Sequence, residues 1–259
     1  MEDNRLNIFN RSYVIKTLKD LNANPLKKLG QNFLIDKNVA LNIEKVIPSN
    51  INLIEIGAGL GHVTRLLVPK VKVYVGIEID KKISNFLLNL GLNIINQDFL
   101  KTSLKDFIND ETVIFGNLPY YITTDIILHI IRNIDNRIKK VVLLVQDEFA
   151  KKLRDKSLIT PSLVMIRHHF DVSLMFTVSK NSFYPAPSVD SRLILLDNKF
   201  INYEPEFENF LKKVFSYKRK TLSSVIKKCF DDISFDIGNE RVEDIKDFYA
   251  LYRELILKK

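Results

Sequence analysis

Short apolar segments alternate with amphipathic segments along most of the chain, and each kind predicts a different element. The apolar segments predict strands over residues 52–56, 71–79, 93–96, 112–115 and 141–146. Between them, apolar residues recur three or four positions apart, which predicts helices over 62–68, 82–90, 125–134 and 148–154. The run 141–146 is almost continuous in valine and leucine, which is typical of a strand covered on both faces. Strands that alternate with helices in this way predict a parallel, doubly wound sheet.

The pattern changes towards the C-terminus. Residues 172–178 and 192–196 predict two strands that would form an antiparallel edge on the sheet. Beyond them the β pattern ends, and helices are predicted over 206–217, 221–230 and 242–257. We therefore predict an α/β domain over residues 1–198 and a small all-helical domain over residues 199–259.

Three local features complete the pattern. A weak helical periodicity covers residues 11–22, and Asp36 is expected to cap the helix that follows it. Residues 27–34 predict a polar, basic loop. His168 and His169 fall in a strand-like segment, where we expect structural or surface roles rather than metal binding.

Composition narrows the class of protein. Hydrophobic residues make up 46% of the 259 residues, which is enough for a substantial core. The single cysteine, Cys229, excludes a disulfide within the chain and is typical of a reducing compartment. The longest apolar run, 141–145, is too short to span a bilayer, so we expect a cytoplasmic protein with no membrane partner. The net charge of +8 favours a polyanionic partner such as a nucleic acid.

A glycine-rich loop follows the first strand of the predicted sheet. Residues 55–61 read Glu-Ile-Gly-Ala-Gly-Leu-Gly and precede a predicted helix. Glycines let a ligand approach the backbone closely, and the helix start offers free N–H groups to an anion. The spacing G-x-G-x-G matches the dinucleotide fingerprint G-x-G-x-x-G poorly. It favours a ligand without phosphates, such as S-adenosylmethionine; a tight turn without a ligand is the alternative.

Two acidic residues follow the next two strands. Gly57, Glu78 and Asp98 end successive strands and should therefore lie along the carboxyl edge of the sheet, where open α/β sheets bind ligands. Glu78 could accept hydrogen bonds from ribose hydroxyls, and Asp98 could accept one from an adenine amine. The alternatives are a solvated acid for Glu78 and a helix cap for Asp98.

The fourth strand leads into Asn117-Leu118-Pro119-Tyr120, the most specific signal in the chain. An adenine amine is a poor nucleophile because its lone pair is delocalised into the ring. The Asn117 side-chain oxygen and the Leu118 carbonyl, held by Pro119, could accept the amine protons and localise that lone pair. Tyr120 could stack on the base. Such a site works by positioning and aimed dipoles; an ordinary turn is the alternative.

Together these motifs resemble the KsgA/RsmA family of ribosomal RNA adenine dimethyltransferases, relatives of the erythromycin-resistance methylases. The resemblance extends to residues 30–34 (Gly-Gln-Asn-Phe-Leu), 183–191 and 215–222. It implies a Rossmann-like class I methyltransferase sheet followed by a helical RNA-binding domain. It also implies a monomeric enzyme that uses S-adenosylmethionine, releases S-adenosylhomocysteine and needs no metal.

The implied substrate is a pair of adjacent adenines near the 3′ end of 16S rRNA, within the small ribosomal subunit or its precursor. Each adenine would receive two methyl groups on N6 during maturation of the subunit. The open alternatives are a non-catalytic assembly factor that binds rRNA, and a methylase that acts on large-subunit rRNA or on DNA.

The resemblance also implies roles for individual residues. The cofactor-binding residues would be Asn32, Leu34, Gly57, Gly59, Glu78, Asp98 and Asn117. The catalytic residues would be Asn117, Leu118, Pro119, Tyr120 and Phe183, with Phe183 closing the target base opposite Tyr120.

A basic stretch in the helical tail suggests how RNA is held. Residues 209–230 contain seven cations and no acid, which suits phosphate contacts; a solvated helix face is the alternative. The predicted RNA-binding residues are Lys212, Lys213, Lys218, Arg219 and Lys220. The stretch before Lys27 is longer than the family requires, and the sequence assigns it no role.

Overall fold

A computed structural model describes residues 7–26, 29–217, 220–229 and 241–257. The strands are β1 (Phe33–Leu34), β2 (Asn52–Ile56), β3 (Val73–Glu78), β4 (Ile94–Asn96), β5 (Thr112–Asn117), β6 (Ile138–Gln146), β7 (Phe170–Val178), β8 (Phe183–Tyr184) and β9 (Ser191–Asn198). The α-helices are α1 (Arg11–Asp20), α2 (Lys37–Val46), α3 (Thr64–Leu67), α4 (Lys81–Asn89), α5 (Thr123–Arg132), α6 (Asp147–Arg154), α7 (Pro161–His169), α8 (Pro205–Phe215), α9 (Leu222–Cys229) and α10 (Phe248–Leu257).

Seven of the strands form one sheet in the order β4-β3-β2-β5-β6-β9-β7. The five strands from β4 to β6 are parallel, whereas β9 is antiparallel to both β6 and β7. The predicted sheet, mostly parallel with an antiparallel edge, is confirmed. The chain winds outward in both directions from the middle of the sheet, so the strand order reverses between β2 and β5. Open α/β sheets bind ligands at the carboxyl edge beside such a point.

The sheet is covered by apolar side chains on both faces. Along β6, Val141, Leu143 and Val145 belong to one core cluster, and Val142 and Leu144 belong to the other. Successive side chains of a strand point to opposite faces. A continuous apolar run is therefore what a doubly covered strand requires. Helices α5, α6 and α7 contribute to the first cluster, and α1 to α4 contribute to the second.

Helices α8, α9 and α10 follow the last strand, and their apolar residues join the same core cluster as α5 and α7. Arg132 of α5 donates two hydrogen bonds to Glu208 of α8, at 2.7 and 3.1 Å. The Tyr203 hydroxyl donates a third, at 2.6 Å. Chiefly through the Arg132 hydrogen bonds, the pKa of the buried Glu208 falls to about 2. The Arg132–Glu208 pair therefore joins the helical tail to the layer of helices on the sheet. The predicted domain boundary at residue 198 stays a prediction.

The prediction of a strand-like segment around His168 and His169 is wrong. Both residues lie in α7, which ends at His169, and the Nδ1 atom of His169 is 2.9 Å from the carbonyl oxygen of Met165. The Thr160 side chain caps the helix by accepting a hydrogen bond from the Leu163 N–H. The short apolar run in this helix has no periodicity that separates a helix from a strand.

Two other predictions, the helix over 242–257 and the loop over 27–34, are also wrong in part. Residues 242–257 do not form one helix, because a 3₁₀ turn over Val242–Asp244 precedes α10. The Asp247 side chain accepts hydrogen bonds from the backbone at the start of that helix and so fixes a new N-terminus.

In the predicted polar loop, Phe33 and Leu34 are buried and form β1, which pairs with β8. That strand depends on a partner about 150 residues away, which local sequence does not reveal.

The Arg132–Glu208 pair should contribute to stability. We expect Arg132→Met to lower the free energy of unfolding by about 2 kcal/mol at pH 7, because it leaves a buried carboxylate with fewer partners. The folded-state pKa of Glu208 is about 2 and its ordinary value is 4.5, so this contribution is present above pH 4.5 and is lost as the pH falls towards 2. Urea unfolding at several pH values measures it.

Arg137→Met is the matched control, since Arg137 pairs with Asp135 on the surface. We expect it to change the unfolding free energy by less than about 1 kcal/mol. Equal effects of the two substitutions would contradict the role of the Arg132–Glu208 pair.

Candidate active site

A cavity opens at the carboxyl edge of the sheet, beside the point where the strand order reverses. It encloses about 1030 Å³ of empty space, counting its open mouth. The ends of β2, β3, β4 and β5 and the segment 29–34 line it. The lining includes all the predicted cofactor-binding residues, namely Asn32, Leu34, Gly57, Gly59, Glu78, Asp98 and Asn117. Residues far apart in sequence therefore border one space.

The glycine loop leaves room above its backbone. Gly57 has a φ of +68°, and a Cβ added there would meet no atom within 4 Å. Its N–H donates to the carbonyl oxygen of Ile77 at 2.8 Å, which joins the loop to β3. A positive φ is readily adopted only by glycine. The loop thus exposes backbone at the cavity, where a ligand can approach it.

Glu78 is buried at the end of β3. Its carboxylate accepts hydrogen bonds from the Gly59 N–H at 3.0 Å and from the Asp80 N–H at 2.9 Å. Burial raises the pKa of this carboxyl. Each carboxylate oxygen keeps a second acceptor site, so Glu78 can still bind hydroxyl groups of a ligand while it holds the loop.

A second buried acid, Glu55, fixes the two ends of the glycine loop. It precedes the loop and accepts hydrogen bonds from the Thr64 hydroxyl after the loop and from the Tyr74 hydroxyl of β3, both at 2.8 Å. Burial raises the pKa of Glu55 to about 7. Sequence reasoning missed this triad. A local signal for it is the acidic residue inside the predicted apolar strand 52–56, because a buried carboxylate requires hydrogen-bond partners.

Asp98 caps a turn at the edge of the cavity, and its contact with a cofactor stays a prediction. Its side chain accepts a hydrogen bond from the Leu100 N–H at 3.0 Å and caps a 3₁₀ turn over Phe99–Lys101. It also lines the cavity. The cap holds the carboxylate at the end of β4, where it remains able to accept a further hydrogen bond.

Asn117 ends β5, and its side chain is fixed by the N-terminal segment. The Asn117 amide donates through Nδ2 to the carbonyl oxygen of Asn32 at 3.1 Å. A carbonyl oxygen only accepts hydrogen bonds, so this contact determines which way round the amide lies. The side-chain oxygen Oδ1 then remains available as an acceptor.

The N-terminal segment also packs directly on the tetrapeptide. Gly30 has a φ of +59°, and a Cβ added there would lie 2.8 Å from the Cβ of Pro119. Gln31 donates through Nε2 to Asp80 at 3.1 Å. Residues 29–34 therefore contact both the residues that follow β3 and the Asn117 motif, and the close approach to Pro119 explains the glycine at position 30.

A family model described as Ribosomal RNA adenine dimethylase matches residues 22–247. The chain belongs to this family. The match confirms the resemblance inferred from the motifs and the predicted enzyme class, an S-adenosylmethionine-dependent rRNA adenine dimethyltransferase. It covers both the sheet and most of the helical tail.

Similar proteins agree with the family model. The chain is 39% identical over 254 residues to Ribosomal RNA small subunit methyltransferase A of Mycoplasmopsis pulmonis, covering 88% of this chain and 98% of that relative. The protein of the same name from Chlorobium phaeobacteroides is 30% identical, covering 88% and 93%.

Solved structures confirm the class I methyltransferase fold. A dimethyladenosine transferase from Plasmodium falciparum aligns with a TM-score of 0.65 at 28% identity, over 75% of this chain and 74% of that one. The 23S rRNA methyltransferase ErmE aligns with a TM-score of 0.66 at 20% identity, over 87% and 100%, which shows a shared fold.

Tyr120, the last residue of the Asn117 tetrapeptide, and the next residue, Tyr121, lie in different places. The Tyr120 hydroxyl is 2.8 Å from the Ser191 hydroxyl of β9. Among the described residues, Tyr121 lines the cavity and Tyr120 does not, and Tyr121 is 60% exposed. Phe183 is buried beside Leu34 through the pairing of β8 with β1. Stacking of the target base on Tyr120 and Phe183 stays a prediction.

The predicted RNA-binding residues lie only partly within the described chain. Lys212 and Lys213 are exposed in the last turn of α8, and Lys212 pairs with Glu208 at 2.8 Å. Lys220 is exposed before α9. Lys218 and Arg219 lie outside the described residues. RNA binding by this group of cations stays a prediction.

The contact between Gly30 and Pro119 yields a sharp test. We expect Gly30→Ala to reduce methyl transfer at least about tenfold, because the new methyl group displaces Pro119 and the Asn117 amide, and positioning is the main source of rate. Methyl incorporation into rRNA measures the effect.

Gly91→Ala is the matched control. Gly91 also has a positive φ, but a Cβ there meets no atom within 4 Å. Backbone strain at a positive φ should cost both variants about 1 kcal/mol of stability, and Gly30→Ala should lose more because of its contact with Pro119. Only Gly30→Ala should lose activity, and equal activities of the two variants would contradict the positioning role.

Proposed function

We propose that this protein transfers methyl groups from S-adenosylmethionine to N6 of two adjacent adenines near the 3′ end of 16S rRNA, during maturation of the small ribosomal subunit. Family membership and the names of the similar proteins support the substrate class. The single observation that carries the proposal is the Asn117 amide, oriented by Asn32 at the edge of the cavity.

The residues around the cavity fit S-adenosylmethionine. The cavity lies at the carboxyl edge of the sheet beside the point where the strand order reverses, which is where open α/β sheets bind nucleoside-containing ligands. The Glu78 carboxylate can accept hydrogen bonds from ribose hydroxyls, and Asp98 can accept one from the adenine amine. The open space above Gly57 leaves room for the amino-acid part. When bound, this cofactor supplies an electrophilic methyl group on a sulfonium.

Asn117 and its neighbours act on the target amine. Oδ1 of Asn117 accepts a hydrogen bond from N6 and favours a tetrahedral nitrogen, whose lone pair is no longer delocalised into the ring. The backbone carbonyl of Leu118, fixed by Pro119, supplies the second acceptor. No strong base is required, because the amine becomes cationic on methylation and then loses its proton readily.

The base and the RNA are held by other groups. Tyr120, anchored on Ser191, and Phe183 would enclose the flipped adenine and replace part of its lost stacking. Lys212, Lys213, Lys218, Arg219 and Lys220 would contact phosphates from the domain that begins near residue 199. Among the described residues no helix is both long and apolar enough to cross a membrane. We propose a cytoplasmic monomer that needs no metal.

The proposal is tested with labelled S-adenosylmethionine and small subunits from cells that lack the modification. We expect dimethyladenosine at two adjacent positions near the 3′ end of 16S rRNA, located by mass spectrometry. Large subunits and DNA serve as alternative substrates in parallel reactions. Transfer to either of these in place of small subunits would refute the proposed substrate, and binding to subunits without any transfer would favour an assembly factor.

Asn117→Asp distinguishes the hydrogen bonding of the Asn117 side chain from its size. The carboxylate has nearly the same shape as the amide, but it cannot donate to the Asn32 carbonyl and is repelled by it. We expect a loss of about 100-fold or more in methyl transfer, as for other aimed dipoles, and a similar loss for Asn117→Ala. Binding of S-adenosylhomocysteine, measured by calorimetry, should persist in part in both variants. An Asn117→Asp enzyme with full activity would contradict the mechanism.

A further inference from the structure

Helix α1 belongs to the N-terminal stretch to which the sequence assigns no role. One side of it is part of the protein core, since Val14, Thr17 and Leu18 are buried. The Tyr13 hydroxyl accepts a hydrogen bond from the Arg65 guanidinium at 2.8 Å. Helix α1 is therefore packed on the fold and bonded to α3, the helix that follows the glycine loop.

The other side of α1 borders a groove. This α1 groove lies between the helix and Tyr184 of β8, and it encloses about 780 Å³ of empty space with its mouth included. Its lining includes Ile15, Lys19, Asn22, Pro25 and Tyr184. Ile15 is 43% exposed, so the groove contains an apolar side chain that is open to solvent beside polar ones.

Cations border the same groove. Arg11 and Lys19 lie four residues to either side of Ile15 on the helix, at the spacing that places side chains on one face. The Arg11 guanidinium is 4.8 Å from the centre of the Tyr184 ring. Among the described residues neither Arg11 nor Lys19 forms an ion pair. Their charge is therefore available to an anionic partner.

The α1 groove is joined to the candidate site through β8, which contributes Tyr184 to the groove. Tyr184 follows Phe183 directly, and this strand pairs with Phe33 and Leu34 of the N-terminal segment. Phe33 and Leu34 also line the cavity, so the cavity lining and the Tyr184 ring at the groove belong to one two-stranded ladder.

We propose that the α1 groove binds the rRNA nucleotides that flank the target adenine, an inference that rests on the proposed function. Arg11 and Lys19 contact phosphates, and a base packs against Ile15 and the Tyr184 ring. Stacking on an aromatic ring beside cations is how proteins hold single-stranded nucleic acid without reading its sequence. Arg11 and Lys19 form no ion pair within the described part of the chain, and this local positive charge favours RNA over an apolar protein segment as the occupant.

Charge removal on α1 tests this assignment. Arg11→Ala and Lys19→Ala should each weaken binding to unmethylated small subunits about fivefold and reduce the slope of log affinity against log salt by about one. The matched control is Lys45→Ala. Lys45, like Lys19, is an exposed lysine in the last turn of a ten-residue helix, but its helix leads to the start of β2, away from the cavity. We expect less than a twofold change for it.

Two further measurements distinguish loss of RNA binding at the α1 groove from damage to the cavity. Binding of S-adenosylhomocysteine should be the same in all variants, which shows that the cavity is intact. A photo-cross-linking amino acid placed at Ile15 should label 16S rRNA within the bound small subunit. The assignment would be overturned if a ribosomal protein were labelled in place of RNA. It would also be overturned by equal losses of binding for Lys19→Ala and Lys45→Ala, or by unchanged binding of both α1 variants. If the unaltered protein does not methylate small subunits, the proposed function itself fails.

Discussion

The hydrogen bond from the Asn117 amide to the Asn32 carbonyl is the contact on which the proposed chemistry depends. It joins residues 85 positions apart and determines which atom of the amide is left for a substrate. Its geometry is set from both sides. β5 fixes the Asn117 backbone in the middle of the sheet, and Gly30 rests so closely on Pro119 that no side chain fits between them.

The sheet supplies the rigid frame for this contact. β2 and β5 are neighbours in the sheet although two strands separate them in sequence. The glycine loop and the Asn117 motif therefore begin side by side at one edge. The loop is fixed in turn by Glu55, which accepts hydrogen bonds from residues on two other elements. A cavity bordered by such constrained ends needs little reorganisation when a ligand enters it, and pre-organisation of this kind lowers the cost of catalysis.

The predicted elements agree with the structure where the apolar periodicity is long and regular. They differ from it where the periodicity is short or irregular. The sheet, its parallel character and the C-terminal helices followed from repeated apolar spacing. By contrast, the strand-like segment predicted around His168 and His169 is the end of α7, whose apolar residues show no clear period, and β1 lies in a predicted loop because two residues define no pattern. Within the site, Gly57, Glu78, Asp98 and Asn117 could be grouped because parallel strands share a carboxyl edge, whereas the Glu55, Thr64 and Tyr74 triad depended on long-range packing.

The sequence by itself determined the class of fold, the family and the residues that meet at the carboxyl edge, since all of these depend on local spacing and strand order. Only the tertiary structure decided the orientation of the Asn117 amide, the separate positions of Tyr120 and Tyr121, and the place of α1 beside Tyr184. These features depend on contacts between distant segments. Such contacts are selected by the packing of the whole core, and no local pattern encodes them.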